Sequence, residues 1–285
     1  MRTVLSSSSR EPPPEGPPWD TPLASTPLAF VDLEMTGLEP ARHRVIQICI
    51  ERVVGGRVVE RLESLVDPGE VAIGGTHIHG IERADVEGKP ALSDLVDEVA
   101  RLLDGAIFVA HGARWDIAFL RAEHARVERE YECPHYLDTL AMARRVIDAP
   151  RHGLAPLAEH LGLDNPRPHR ADNDVRVTRA LFDLLVARVE LSSPRELWEL
   201  GVGRRRVRPE LLERAQQALD LRRAARVCYR PSGKAPQELT FRITEVRTDL
   251  DPPVVLGYLL DTRGRRELRA DRILSLSLLE DETPS

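Results

Sequence analysis

Residues 30–38 read FVDLEMTGL. Leu28, Phe30 and Val31 form a short apolar run, which predicts a buried strand of a mixed or parallel sheet. The run ends in two carboxylates, Asp32 and Glu34, one residue apart. Side chains at i and i+2 of a strand point to the same face, so both acids project together from its C-terminal end. Thr36-Gly37 then breaks the strand, and Gly37 lets the backbone come close to a ligand. Two like charges held side by side repel, and a divalent cation with oxygen ligands relieves that best. A solvated acidic strand end has the same spelling, so the rest of the chain must decide.

Working outward, residues 44–54 form a second strand, and Gly55-Gly56 turns it into a third over 57–66, a hairpin. Apolar residues at helical spacing predict a helix over 91–103. The continuous run AIFVA, residues 106–110, predicts a strand buried on both faces, and it delivers HGARWDIAFL, a helix with Asp116 in its first turn. A short strand at 135–137 leads to Asp138, a helix N-cap, and further helices cover 153–161 and 171–189. Pro166 and Pro168 break the chain just before His169. The order of elements predicts a three-layer α/β domain over 27–192.

Either side of this domain the composition changes. Residues 1–26 are rich in Ser and Pro and poor in apolar groups, which predicts a disordered tail. A helical linker is expected over 193–220, including the basic run Arg204–Arg208. From 221 to 285 short strands parted by turn signals predict a small barrel. At 285 residues the chain suits one large or two smaller domains, by the scale of roughly 100–200 residues each. The net charge of −6 declares no basic field for nucleic acid, but a nuclease that recruits cations with its own acids needs none. Cys49, Cys133 and Cys228 form no C-x-x-C pair, so neither a disulfide framework nor a zinc site is expected. No apolar run approaches the roughly 18 residues of a membrane helix, and the first residues lack the apolar core of a secretory signal. A cytoplasmic protein without a membrane partner is expected.

Two more acids stand at helix starts: Asp116, five after His111, and Asp174, five after His169. Ligands of open α/β sheets gather at the carboxyl ends of the strands, where these elements converge. Four carboxylates there suit two hard cations, Mg²⁺ or Mn²⁺, about 3.5–4 Å apart, clamping both oxygens of an in-line displacement at phosphorus. An imidazole titrates near neutral pH, so His169 suits proton removal from an attacking water.

FVDLEMTGL, HGARWDIAFL and HRADND together resemble the three motifs of the DEDDh (DnaQ-like) 3′→5′ exonucleases, over roughly residues 27–190. The resemblance implies a ribonuclease H-like α/β/α fold with a mixed sheet. It implies metal ligation by Asp32, Glu34, Asp116 and Asp174, with His169 as general base. The activity implied is release of nucleoside 5′-monophosphates from single-stranded 3′ ends, with DNA favoured. THIHGI and LDTLAMAR are similar to signatures of the proofreading (DNA polymerase III epsilon-like) branch, whereas DLEMTGL is nearest the oligoribonuclease branch. The alternatives are a short-RNA nuclease and a non-catalytic nucleic-acid-sensing regulator. Gly112 and Trp115 stand where many relatives have Asn and Phe. Thr36, Gly37, Leu38 and His111 are candidate contacts to the terminal nucleotide, with Leu38 against the last base; His77 and His79 lie in a loop expected near the site. In the C-terminal part, GYLLD and RELRADRI resemble the WYL domain, an SH3-like barrel, with Gly257 in place of the family's Trp. That likeness makes Arg266, Arg269 and Arg272 candidate phosphate contacts, and a nucleic acid or another ligand the partner there. The sequence leaves the oligomeric state open.

Overall fold

The computed structural model describes residues 11–189, 191–202, 209–229, 231, 237–250 and 252–279. The chain divides between Gly203 and Arg204 into two compact units.

The first unit is built on a five-stranded sheet. Its strands are β1 (Leu28–Met35), β2 (Val45–Val54), β3 (Arg57–Leu65), β4 (Ile107–Ala110) and β5 (Leu137–Asp138). Their spatial order is β3-β2-β1-β4-β5. β1 pairs antiparallel with β2 and parallel with β4, so the sheet is mixed. Gly55 and Gly56 take φ of +57° and +73° in the β2–β3 turn, where residues with a Cβ are disfavoured. Between β3 and β4 lie two single-turn helices, α1 (Thr76–His79) and α2 (Arg83–Val86), and then α3 (Leu92–Leu103). The remaining helices are α4 (Arg114–Arg126), α5 (Thr139–Val146), α6 (Leu154–Leu161), α7 (Ala171–Val189) and α8 (Pro194–Val202).

The alternation of β1 sorts its side chains between two cores. Ala29, Val31 and Leu33 join residues of α3 and α4 on one face. Leu28 and Phe30 join residues of α5, α7 and α8 on the other, where Phe30 meets Phe182 edge-on at 5.4 Å. Continuing that second set by twos carries Asp32 and Glu34 to the α7 side, where the strand runs out of apolar cover.

The expected disordered tail needs correction from residue 11 onward; residues 1–10 lie outside the described residues. Trp19 is only 7% exposed and belongs to the core beneath α7 and α8. The Leu23 amide donates to the Ser192 carbonyl at 2.8 Å, the Arg195 amide donates to the Trp19 carbonyl at 3.0 Å, and the Arg195 side chain pairs with Asp20. One indole removes about 150–250 Å² from water, enough to hold a segment whose prolines already restrict it.

The second unit corrects two further expectations. It contains α9 (Pro209–Asp220), β6 (Ala224–Tyr229), β7 (Gln237–Arg247), β8 (Val254–Leu259), β9 (Arg265–Arg269) and β10 (Ile273–Leu278). The strands form an antiparallel sheet in the order β10-β6-β7-β8-β9, and among the described residues its two edges do not join. It is an open sheet, not a closed barrel. Leu211, Ala215 and Ala218 of α9 share a core with Ala225, Val227, Phe241, Ile243 and Val255, so a helix buries the face that closure would have buried. The expected linker over 193–220 is divided in the same way: Leu197 and Trp198 of α8 belong to the first core and α9 to the third. The basic run Arg204–Arg208 lies outside the described residues.

Candidate active site at the end of the first strand

Three separate segments bring four carboxylates together. Asp32 and Glu34 come from β1, Asp116 from the first turn of α4 and Asp174 from the first turn of α7. Asp116 and Asp174 are only 6% and 8% exposed. Burial pushes the Asp32 carboxyl well above the usual range, and the charges of Asp116, Asp174 and Glu34 push it further. Glu34 is pushed up to about 8 by burial and by Asp174, with Arg170 opposing. Asp116 is likewise raised by burial, while backbone N–H groups, including that of Leu33, moderate the rise and Asp138 and Glu34 add to it. Asp174 is raised by burial and held back by the N–H of His169 and the amide of Asn173.

His169 lies just before α7, is exposed, and has φ of +62°. Its backbone N–H donates to Asp174 Oδ2 at 3.1 Å. One ligand atom from each of Glu34, His169 and Asp174 lies within 4.8 Å of the others. These crowded, mutually repelling carboxylates are only partly offset by Arg170, and hard oxygen donors are the set that a divalent cation takes. The residues present fit such an ion.

The other residues singled out in the sequence have varied placements. Leu38 stands 70% exposed beyond the strand end, open to a contact. Thr36 is buried; its hydroxyl accepts the Arg44 N–H at 3.0 Å and its carbonyl accepts the Gly74 N–H at 3.1 Å, so it fastens two loops. A Cβ on Gly37 would lie 2.4 Å from His43 Nε2: here the close approach is to an imidazole of the same chain. The ring nitrogens of His111 engage the Thr139 hydroxyl at 3.0 Å and the His152 carbonyl at 2.8 Å, so neither is open to substrate. His79 is buried: Nδ1 accepts the Ile81 N–H, which leaves Nε2 to donate to the Gly74 carbonyl. His77 is exposed. In the second unit Arg266 is exposed, Arg272 is half-buried, and Arg269 is held by Asp271 through two bonds of 3.0 Å.

Two residues support the site from outside its motifs: Asp138, read in the sequence as a helix N-cap, and Gln47, which no pattern marked. Asp138 Oδ1 accepts the N–H groups of Leu140 and Gly112, both at 2.9 Å, which caps α5 and fixes the left-handed turn at Gly112 before Asp116. Gln47 is buried in β2 directly across from Glu34. A lone amide inside the apolar run VIQICI is the signal that could have marked it.

Comparison with known proteins bears on the family and the fold. The exonuclease family model RNase_T matches residues 29–182. The chain belongs to this exonuclease family. The exonuclease domain is 33% identical over 165 residues to a DNA polymerase III of PolC type from Thermotoga maritima, covering 57% of this chain and 12% of that protein. It is 32% identical over 155 residues to the 3′-5′ exonuclease DinG of Bacillus subtilis, covering 53% of this chain and 17% of that one. The chain thus spans less than a fifth of the length of these relatives. The fold is shared with E. coli exonuclease I, solved in complex with a dT13 oligonucleotide, at a TM-score of 0.55 and 16% identity, over 83% of this chain and 55% of that one.

Proposed function

We propose that this chain is a divalent-metal-dependent exonuclease that removes nucleotides one at a time from the 3′ end of single-stranded nucleic acid. The observation that carries the reading is the meeting of Asp32, Glu34, Asp116 and Asp174 within range of one another's charge, with His169 beside Glu34 and Asp174. Asp32, Glu34, Asp116 and Asp174 are the residues to hold Mg²⁺ or Mn²⁺, two ions when fully loaded. When bound, such ions supply positive charge where negative charge develops at phosphorus and at the leaving oxygen. His169 accepts a proton from the attacking water; the water oxygen bonds to the terminal phosphorus as the bond to the preceding 3′ oxygen breaks. The departing 3′ oxygen takes up a proton from solvent, and the products are a nucleoside 5′-monophosphate and a chain shortened by one, ending in a 3′ hydroxyl.

Leu38 offers an apolar surface to the last base, while Thr36 and Gly37 shape the loop that presents it. DNA is the favoured substrate, because the matched relatives include a DNA polymerase and the 3′-5′ exonuclease DinG. The DLEMTGL spelling favours short RNA as the second reading. In the second unit, Arg266 and Arg272 remain candidates for phosphate contact under the WYL resemblance, whereas Arg269 is already paired with Asp271. The test is a panel of single-stranded DNA, duplex DNA, RNA and dinucleotides, labelled at either end, with Mg²⁺, with Mn²⁺ and with a chelator. The expected result is metal-dependent release of mononucleotides from 3′ ends, fastest on single-stranded DNA. Release from 5′ ends, or activity that survives chelation, would overturn the reading.

A further inference from the structure

The segment between α6 and α7 carries His169; Asp164 and Asn165 tie its first half to Arg176 and Asn173 of α7, and its second half is held by a separate set of bonds. His169 follows Pro168, has a left-handed backbone that non-glycine residues seldom adopt, and spends its own N–H on Asp174. Arg167, two residues before it, and Asp172, three after it, are joined across the loop: Arg167 Nη2 donates to Asp172 Oδ2 at 2.6 Å. Asp172 Oδ1 in turn accepts from Gln47 Nε2 at 3.4 Å. Gln47 Oε1 accepts the Ala171 N–H, the first amide of α7, at 3.2 Å. Because that backbone N–H can only donate, the amide oxygen must face it, and the orientation of the Gln47 side chain is settled.

Gln47 lies on β2 opposite Glu34, and cross-strand partners share a face of the sheet. It is 2% exposed, and both ends of its amide are used. The same side chain therefore ties the base of the His169 loop to the strand beside the one that carries Asp32 and Glu34. Arg167 and Asp172 alone could not do this, since Arg167 is largely exposed and an exposed ion pair holds little.

We propose that Gln47 is a positioning residue: through Ala171, Asp172 and Arg167 it fixes His169 relative to the carboxylate cluster. The inference rests on the exonuclease reading with His169 as base. A neutral amide suits that place, donating at one end and accepting at the other. Glutamate in its place cannot donate to Asp172 and adds a third acid beside Asp172 and Glu34; methionine fills the volume and makes neither bond.

The test uses the full chain and a 3′-labelled single-stranded oligonucleotide. Gln47→Met is expected to lower kcat about ten-fold, in line with the sensitivity of catalysis to misplacement by ångströms, with KM and the Mg²⁺ dependence unchanged. In the His169→Ala background the same substitution should cause no further loss, because residues acting as one unit are non-additive. Arg167→Ala, at the exposed end of the clamp and harmless to the core, should lower kcat two- to three-fold, and this effect too should vanish in the His169→Ala background. It carries the test if Gln47→Met fails to fold. Wild-type kcat in both variants, or an equal loss with and without His169, would overturn the proposal and leave Gln47 a packing residue. If His169→Ala is itself as active as wild type, the role of His169 fails instead; if the wild-type chain shows no metal-dependent cleavage, the exonuclease reading fails.

Discussion

At the residue scale the four acids destabilise the metal-free protein that carries them. Asp32 is raised by burial and by three neighbouring carboxylates, so removing its charge relieves repulsion. Asp32→Asn should therefore raise the melting temperature of the chelated protein, while lowering cleavage by about 10²–10³-fold or more, the scale seen when one electrostatic group is lost. Cleavage within a few-fold of wild type would remove Asp32 from the site. Glu34 makes the pH dependence explicit. Its folded value of about 8 lies above the roughly 4.3 of an unfolded glutamate. Between these values the folded chain holds a proton that the unfolded chain has lost, so stability is greatest below the lower value and declines as pH rises towards 8. Melting scans with a chelator should fall across that window, and Mg²⁺ should raise the melting temperature more at pH 8 than at pH 5. A flat chelated profile would contradict the crowding of half-buried Glu34 against Asp174. These acids were legible because strand alternation and helix-start positions are local properties. Gln47 was not, because a buried amide acquires meaning only when its partner, here the start of α7 more than a hundred residues on, is known.

At the level of elements, the pattern of apolar residues located most strands and helices, since burial of one face imposes the period. It failed where closure or cover depended on something distant. Residues 11–26 have the composition of a tail, yet Trp19 anchors them in the core and Asp20 and Leu23 tie them to Arg195 and Ser192. The small β strands read as a barrel because even spacing does not say what covers their apolar face, and α9 covers it. Gly257 shows how tightly that sheet is built. A Cβ there would lie 2.1 Å from the Arg242 carbonyl oxygen and 2.8 Å from the Phe241 ring, neither the free end of a flexible side chain. Gly257→Ala should destabilise the second unit by about 1–3 kcal/mol, the usual cost of forcing extra volume into a packed site. Chemical denaturation followed at a probe in that unit reads the loss; an unchanged midpoint would show that β8 shifts freely.

For the whole molecule, the three large cores matter most. Two of them belong to the first unit and one to the second, and α8 and α9 fall on opposite sides of the division. A truncation placed at residue 221, as strand pattern alone would choose, leaves α9 behind with Leu211, Ala215 and Ala218 stripped of their partners. A truncation after Gly203 keeps Trp198 in its core and removes the second unit whole. A fragment ending there should fold and retain turnover on a dinucleotide within about two-fold, because all four acids and His169 come from the first unit. If the arginines of the second unit hold the strand, the fragment should also bind long single-stranded DNA more weakly. Its affinity should then depend less steeply on salt, because fewer phosphates are neutralised and fewer counterions are released on binding. Titration of a labelled oligonucleotide at several salt concentrations separates the two effects. Equal affinity and equal salt slope for fragment and full chain would show that the second unit is no clamp, and dinucleotide turnover lost with it would show that the exonuclease site is incomplete without that unit.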